Sequence, residues 1–244
     1  MIAFLEKLKL QLRANKYKNK DDKGGIAYIL QNIKNGETVL DIGCHKAGYL
    51  FFMQQKVGNN GKVVAFEPQS LLYNYIKKII AVCKWQNVKV EHLALSDNKG
   101  VVTLFIPTNT KSKASSPGAT IVHQSNTDNI DLTEQVDTNT LDTYCLENNL
   151  QPNLLKIDVE GNELRVLMGG IEMIKKHKPK ILIECEARHV GKEQVNETFN
   201  YLLQLGYKGY FINDIHKEAL EKFDFEQHQN TNDMKHYCNN FVFE

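Results

Sequence analysis

Short apolar runs alternate with stretches of helical periodicity along most of the chain. The apolar runs predict strands at residues 38–43, 62–67, 88–94, 101–106, 153–159, 180–185, 207–212 and 237–243. The spacing of apolar residues between them predicts helices at 47–57, 69–83, 139–149, 162–177 and 193–205. Strands that alternate with helices are typical of a parallel sheet with helices on both faces.

Three segments depart from this alternation. Residues 88–106 contain two strands with a turn at Asp97–Gly100 between them, which indicates a hairpin. The last two strands are joined by a polar connection at 214–235 without helical periodicity, so we expect an antiparallel pair there. Residues 107–136 are rich in Ser, Thr and Asn, which predicts a functional loop or disorder.

The pattern divides the chain into a helical extension, residues 1–35, and one α/β domain, residues 36–244. The extension contains two predicted helices joined by a charged linker, Asn15–Gly25, which we expect to be exposed and mobile. Its first helix is amphipathic. For that helix, packing on the domain or on a partner is favoured over a membrane surface, and the partner we consider is a second copy of the chain.

Composition fits a single globular domain and excludes several classes of protein. The chain has 244 residues, of which 42% are apolar, and a net charge of +1, so it lacks the basic charge typical of nucleic-acid binding. No apolar run approaches the roughly 20 residues that cross a bilayer. Five scattered cysteines, without a C-x-x-C pair or zinc-site spacing, indicate reduced thiols in the cytoplasm.

The turn after the first strand of the domain carries the first candidate site. It follows the pattern D-x-G-x-x-x-x-G, with a histidine inside it: Asp41, Gly43, His45 and Gly48. Glycines at such a turn let the backbone approach a ligand closely. The next strand ends at Glu67–Pro68, where nucleoside-binding folds place the acid that accepts ribose hydroxyls. The alternative is an ordinary turn in which glycine only ends a strand.

The pattern lacks the middle glycine of the dinucleotide-binding fingerprint, so a pyrophosphate fits less well than a nucleoside without phosphate. S-adenosylmethionine is such a ligand. The next turn contains Leu95, Ser96 and Asp97, where an adenine ring is expected beside the ribose acid. Leu95 is a candidate to pack on the ring and Ser96 or Asp97 to accept from its amino group. Alternatively, Asp97 only begins a turn.

The segment 154–164 is the strongest local signal for chemistry. Strand alternation places Lys156, Asp158 and Glu160 on one face, and three charges on a buried strand need partners or a ligand. The first turn of the next helix contains Glu163, which we interpret as structural. A second acidic pair, Glu184 and Glu186, ends the following strand and is suited to substrate hydroxyls or, less well, to a divalent metal.

These motifs resemble the FkbM-type methyltransferases, which use S-adenosylmethionine. The resemblance is carried by Asp41–Gly48, Phe66–Pro68, Ala94–Asp97, Thr140–Asp142 and Leu155–Glu163. It implies a class I (Rossmann-like) methyltransferase fold, here expected as a seven-stranded, mainly parallel sheet with one reversed strand. It also implies O-methylation of a sugar, glycan or other small natural product. The family usually has Ala-Asn where this chain has Cys44 and His45. Any role that the family's asparagine plays therefore cannot be assigned to this chain.

Methyl transfer to oxygen needs an aligned acceptor and a group that takes its proton. The candidate bases are Asp158, Glu160 and His45, with Lys156 setting the charge of the two acids, and Asp158 is also a candidate for cofactor binding. The alternative role for His45 is to line the cofactor pocket without taking part in proton transfer. Two rival hypotheses are a nicotinamide-dependent oxidoreductase and a cofactor-binding module without catalysis. A nucleic-acid methyltransferase is disfavoured by the near-neutral charge.

Overall fold

The computed structural model describes residues 2–107, 118–121, 130–234 and 236–244. The helices are α1 Ile2–Lys16, α2 Lys23–Asn32, α3 Gly48–Val57, α4 Ser70–Cys83, α5 Leu141–Glu147, α6 Glu163–Met168, α7 Ile171–His177, α8 Ala187–Gln204 and α9 Phe225–His228. The strands are β1 Thr38–Ile42, β2 Lys62–Phe66, β3 Val88–Glu91, β4 Ala94–Leu95, β5 Gly100–Pro107, β6 Ile130–Asn139, β7 Leu154–Ile157, β8 Lys180–Glu184, β9 Gly209–Asn213, β10 His216–Ala219 and β11 Asn240–Phe243.

The main sheet has eight strands in the order β10-β9-β11-β8-β7-β1-β2-β3. Strands β3, β2, β1, β7 and β8 are parallel, and β11 runs against both β8 and β9. The predicted count of seven strands with one reversed was therefore wrong. The eighth strand, β10, is a second reversed strand because a turn at Asp214, with φ of 54°, folds the chain back onto β9.

A second sheet contains three strands in the order β4-β6-β5. The predicted hairpin was wrong, because β6 lies between the two strands and pairs with both of them. The expectation of a loop through residue 136 was also wrong from residue 130 onward. Strand β6 is hard to recognise because buried and exposed residues are mixed along it: Val136, Thr138 and Asn139 are buried, while Gln135 and Asp137 face solvent. Residues 108–117 and 122–129 of that expected loop lie outside the described residues.

The parallel strands are buried on both faces, as expected for a sheet covered by helices. Leu40, Val64 and Leu155 pack with residues of α5 to α8 on one face. Val39, Val63 and Leu154 pack with residues of α1 to α4 on the other face. Central strands of this kind read as continuous apolar runs in the sequence, which is why their positions could be predicted closely.

Glycines interrupt or bend two of the predicted helices. The helix expected over 162–177 is divided into α6 and α7 at Gly169 and Gly170. A Cβ on Gly169 would lie 2.1 Å from the Ser96 carbonyl oxygen, so this close packing requires glycine. Helix α8 begins six residues before its predicted start at 193 and is kinked at Gly191, whose φ is 83°.

The amino-terminal segment packs closely on the domain. Helix α1 contacts α3 and α4 and buries Leu10 and Ala14. Residues Tyr17–Asp21 form a π-helical turn, and the Asp22 side chain then caps α2 by accepting from the Gly25 N–H at 3.0 Å. The linker was expected to be exposed, but its last two residues, Gly24 and Gly25, are buried in the first turn of α2. Within the described residues, no helix is both long and apolar enough to span a membrane.

Candidate active site

A cavity of about 310 Å³ lies along the edge of the main sheet where the parallel strands end. Following the strand order from β3 to β8, its wall contains Leu93 and Leu95, then Glu67, then Gly43 and His45, then Asp158, then Glu184. Of the predicted site residues, the wall contains Gly43, His45, Gly48, Glu67, Pro68, Leu95, Lys156, Asp158 and Glu160. The wall does not include Asp41, Ser96 or Asp97.

The turn after β1 needs glycine for two separate reasons. Gly43 has φ of 80°, and a Cβ there would lie 1.8 Å from the Asp158 carbonyl oxygen. Its N–H donates to the Phe66 carbonyl at 3.1 Å, so the ends of β1, β2 and β7 meet at this residue. At Gly48 a Cβ would lie 3.1 Å from the ring of Tyr17. The second glycine therefore allows the amino-terminal segment to pack against the start of α3.

The carboxylate of Glu67 is held in place by backbone groups. One oxygen accepts from the N–H of His45 at 2.8 Å and the other from the N–H of Gln69 at 3.0 Å. Burial raises the pKa of Glu67 to about 8, although both backbone bonds act to lower it. This acid therefore ties the end of β2 to the turn after β1, at the place where the sequence predicted a ribose-binding group.

The imidazole of His45 is neutral at physiological pH. Burial lowers the pKa of His45 to about 4, and the nearby Lys46 adds to this effect. Its Nε2 is buried and has no hydrogen-bond partner within the described part of the chain. A neutral, weakly basic imidazole suits the lining of a cofactor pocket better than proton abstraction.

A buried lysine connects three elements beneath the cavity. The Nζ atom of Lys156 donates to the Gly43 carbonyl at 3.0 Å and to the Asp158 carboxylate at 2.8 Å, and lies 3.9 Å from Asp41. Burial lowers the pKa of Lys156, but Asp158 and Asp41 outweigh it and raise that pKa above its usual value. Burial also raises the pKa of Asp41 to about 6. The carboxylate oxygens of Asp41 make no hydrogen bond to any described residue.

Glu160 faces the cavity from a strained backbone conformation. Its φ is 54°, which is unusual for a residue other than glycine. One carboxylate oxygen lies 3.2 Å from Nδ1 of His189, whose Nε2 lies 3.7 Å from Glu186. Burial, helped by the charge of Asp158, raises the pKa of Glu160 to about 8. The strain is typical of residues placed for function.

The two acids of the second pair, Glu184 in the cavity wall and Glu186 behind it, have pKa values shifted in opposite directions. Burial raises the pKa of Glu184 well above its usual value, whereas hydrogen bonds from His189 and Tyr237 overcome burial and lower that of Glu186 to about 2. Glu184 therefore binds a proton more readily than Glu186 does. No group of three or more His, Cys, Asp or Glu residues in the described ranges is placed to hold a metal ion.

Glu163 has the structural role that was expected from its position in the first turn of a helix. Its carboxylate accepts from the N–H groups of Gly161 at 3.0 Å and Val159 at 3.3 Å. These bonds fix the loop that carries Asp158 and Glu160.

At the β3 end of the cavity, Asn162 lines the wall, whereas Ser96 and Asp97, which were expected there, do not. The N–H of Ser96 donates to the Asn139 carbonyl, and its hydroxyl donates to Asp97 at 3.1 Å, so the two side chains bond to each other. Asn162 donates from Nδ2 to the Leu95 carbonyl at 3.0 Å. Its Oδ1 is buried without a partner in the described ranges. In the sequence this neutral amide lies among charged residues, and nothing in the local pattern marks it as part of a site.

The amino-terminal segment also contributes to the wall, through Tyr17, Asp21 and Asp22. The partly buried Asp22 carboxylate accepts from the hydroxyl of Tyr49 and from Asn240 at 3.1 Å. Sequence reasoning missed these residues because they precede the recognisable domain. The available signal was Asp22 itself, a residue type common at helix N-caps, which caps α2 although the predicted helix began only after Gly25.

Residues 41–209 match the profile of the methyltransferase FkbM domain, a range that includes the turn after β1, Glu67 and the loop from Lys156 to Glu163. The chain belongs to the FkbM methyltransferase family. The family uses S-adenosylmethionine, and the cofactor predicted from the sequence is thereby confirmed. No match was found among curated protein sequences.

Solved structures share the fold of this FkbM methyltransferase domain at low sequence identity. A methyltransferase FkbM from Methylobacillus flagellatus KT is 17% identical with a TM-score of 0.55, and the match covers 85% of this chain. The chain spans only 43% of the length of that protein. Cofactor-bound Rv0187 from MTB is 10% identical with a TM-score of 0.50, and the match covers 98% of this chain and 88% of that one.

The residues of this FkbM domain fit a nucleoside-containing cofactor. A volume of about 310 Å³ lies within the range of small-molecule sites. The β3 end of the wall is apolar, with Leu93, Leu95, Leu104 and Ile121, and the β7 and β8 end is charged. The two buried side-chain atoms without partners in this wall, Nε2 of His45 and Oδ1 of Asn162, are available to a polar ligand.

Proposed function

We propose that this FkbM methyltransferase transfers the methyl group of S-adenosylmethionine to a hydroxyl oxygen of a sugar, glycan or other small natural product. The observation that carries the proposal is the acidic end of the cavity, where Asp158 and Glu160 lie together. When bound, the cofactor supplies a methyl group on a positively charged sulfur. An alcohol must lose its proton as its oxygen is methylated, and carboxylates are suited to take that proton and to orient hydroxyls.

The cofactor-binding roles follow the order of the strand ends. We assign the ribose hydroxyls to Glu67, whose position is fixed by two backbone N–H groups. Gly43, Gly48, His45 and Pro68 line the same part of the wall. Asp41 acts from behind the wall, because it neutralises Lys156, which in turn holds the Gly43 carbonyl and Asp158.

Glu160 is the best general base of the three predicted candidates. The burial that raises its pKa to about 8 makes its carboxylate a stronger proton acceptor than an ordinary glutamate. The Asp158 carboxylate is already engaged by Lys156 at 2.8 Å, and burial lowers the pKa of His45 to about 4. We assign Asp158 to holding the acceptor or the methionine part of the cofactor.

Asn162 is the group in the wall best suited to recognise the adenine amino group. The Leu95 carbonyl can only accept a hydrogen bond, so it fixes the amide with Nδ2 toward Leu95 and Oδ1 directed elsewhere. Oδ1 is an acceptor and has no partner among the residues described, while an adenine amino group is a donor. Leu93 and Leu95 line the wall here and provide an apolar surface for the ring.

Replacing Asn162 with leucine is expected to weaken binding of S-adenosylhomocysteine about tenfold, the loss of one net hydrogen bond. Binding of S-inosylhomocysteine, which has an oxygen in place of the amino group, should change little. Calorimetric titration measures both dissociation constants. The matched control is Asn87→Leu, because Asn87 also donates to backbone carbonyls but lies outside the cavity. Equal weakening for both ligands would contradict the assignment.

The proposed reaction is tested by S-adenosylhomocysteine release from the wild-type protein over a panel of monosaccharides and oligosaccharides. Each acceptor is paired with its deoxy analogue, which lacks the hydroxyl under test. We expect release with at least one hydroxyl acceptor and none with its deoxy partner, since no other atom of the pair differs. Calorimetric binding of S-adenosylhomocysteine without release on any acceptor would instead favour a cofactor-binding module without catalysis.

A further inference from the structure

Helix α1 has apolar residues on two opposite faces. Leu10 and Ala14 face the domain and are 1% and 0% exposed. The other apolar residues with described side chains lie on the outer face: Phe4 is 69% exposed, Leu5 46%, Leu8 41% and Leu12 61%. At 100° per residue these four side chains form one stripe along the helix, which we call the outer stripe. A stripe of four large apolar side chains facing solvent indicates a surface that is covered by something else.

The charges around the outer stripe are positive. Lys7, Lys9, Lys18 and Lys20 are exposed in α1 and in the turn that follows it. The single acid of α1, Glu6, points toward α4 and forms an ion pair with Lys78 at 3.0 Å. In the following turn Asp21 is paired with Lys16 at 2.7 Å. The outer face of α1 therefore presents apolar and cationic groups without a free carboxylate.

We propose that α1 binds anionic membrane surfaces, lying in the interface with the outer stripe in contact with lipid chains and its lysines with phosphate groups. Helices with an apolar stripe and lysines beside it bind bilayers in this way, through buried apolar area and attraction to anionic lipid. A second copy of the chain fits less well, because two outer stripes packed together bring the lysines of both copies near one another.

Docking of α1 also positions the active-site cavity. The helix continues directly into the turn that carries Tyr17, which lines the cavity and packs on Gly48. A membrane-bound α1 therefore holds the cavity beside the lipid surface. The docking itself is independent of the methyl acceptor, so its test needs no turnover.

The test is co-sedimentation of the full chain with vesicles at about 0.1 M salt, where charge attraction is still felt across roughly 10 Å. One vesicle type contains phosphatidylcholine with about a third phosphatidylglycerol, and the other phosphatidylcholine alone. We expect binding to the anionic vesicles, at least tenfold weaker binding to the neutral ones, and release by 1 M salt.

The double variant Leu8→Glu with Leu12→Glu is expected to lose binding at least tenfold and to stay folded, because both residues face solvent. The matched control is Leu146→Glu with Leu203→Glu, two leucines on α5 and α8 that are 83% and 40% exposed. It adds the same charge elsewhere and should bind as the wild type does. No binding by the wild type, or equal loss in both double variants, overturns the proposal. A wild-type dimer in light scattering that only Leu8→Glu with Leu12→Glu dissociates, without vesicle binding, assigns the stripe to a second copy.

Discussion

Replacement of Lys156 with methionine is expected to lower the free energy of unfolding by about 3–5 kcal/mol at pH 8, the usual cost of removing one partner from a buried ion pair. Methionine fills a similar volume but leaves Asp41 fully buried without a positive neighbour. It also removes the bond to the Gly43 carbonyl, so the turn after β1 loses its support from β7. Urea denaturation of the purified variant measures the change.

The loss should depend on pH in a defined direction. Burial already raises the folded-state pKa of Asp41 to about 6, and removing Lys156 raises it further. A carboxyl with a raised folded-state pKa binds its proton more tightly when folded, so stability falls as pH rises through the window between the unfolded and folded values. The deficit of the variant is therefore smaller at pH 5 than at pH 8.

Lys180→Met is the matched control for this experiment. Lys180 also pairs with a carboxylate, Glu244, at 3.7 Å, but its side chain is 43% exposed. Water screens such a pair, so we expect a change of at most about 1 kcal/mol and little pH dependence. A loss below about 1 kcal/mol in Lys156→Met, or the same loss at both pH values, would show that the buried lysine does not stabilise Asp41.

The sequence was sufficient to predict those strands and cavity residues that a local pattern marks. Apolar runs located the central strands, and a glycine or an acid directly after each run located the ends that form the cavity, including Gly43 and Glu67. Alternation along β7 placed Lys156 and Asp158 on the same side, where they form an ion pair. These predictions need only the period of a strand and the rule that parallel strands end at one edge.

The residues that were missed depend on contacts between distant segments. Asn162 is defined by its bond to Leu95, 67 positions earlier, and Asp22 by its bond to Asn240, 218 positions later. Neither partner is visible in a local pattern. Strand β6 was not predicted for a related reason, since a half-exposed strand contains many polar residues and resembles a loop in the sequence.

Replacement of Glu160 with glutamine is expected to reduce kcat by 10²- to 10⁴-fold, the range for loss of a general base. The amide has the same size but cannot accept the hydroxyl proton, so binding of S-adenosylhomocysteine should stay within about twofold of wild type. Calorimetry and initial rates separate the two quantities. Glu193→Gln, an exposed acid on α8, is the matched control and should leave kcat unchanged.

The pH dependence of turnover distinguishes a base from a residue that only supports the loop. Glu160 must be ionised to act, so wild-type kcat/KM should rise with pH and level off above about 8, the value to which burial raises its pKa. His189, 3.2 Å away, lowers that pKa by its positive charge, so His189→Gln should shift the rise to higher pH. Glu160→Gln should lose this rise. If its kcat falls while the rise near pH 8 persists unchanged, the rise belongs to another group, such as Glu67, whose pKa burial also raises to about 8, and Glu160 is not the base.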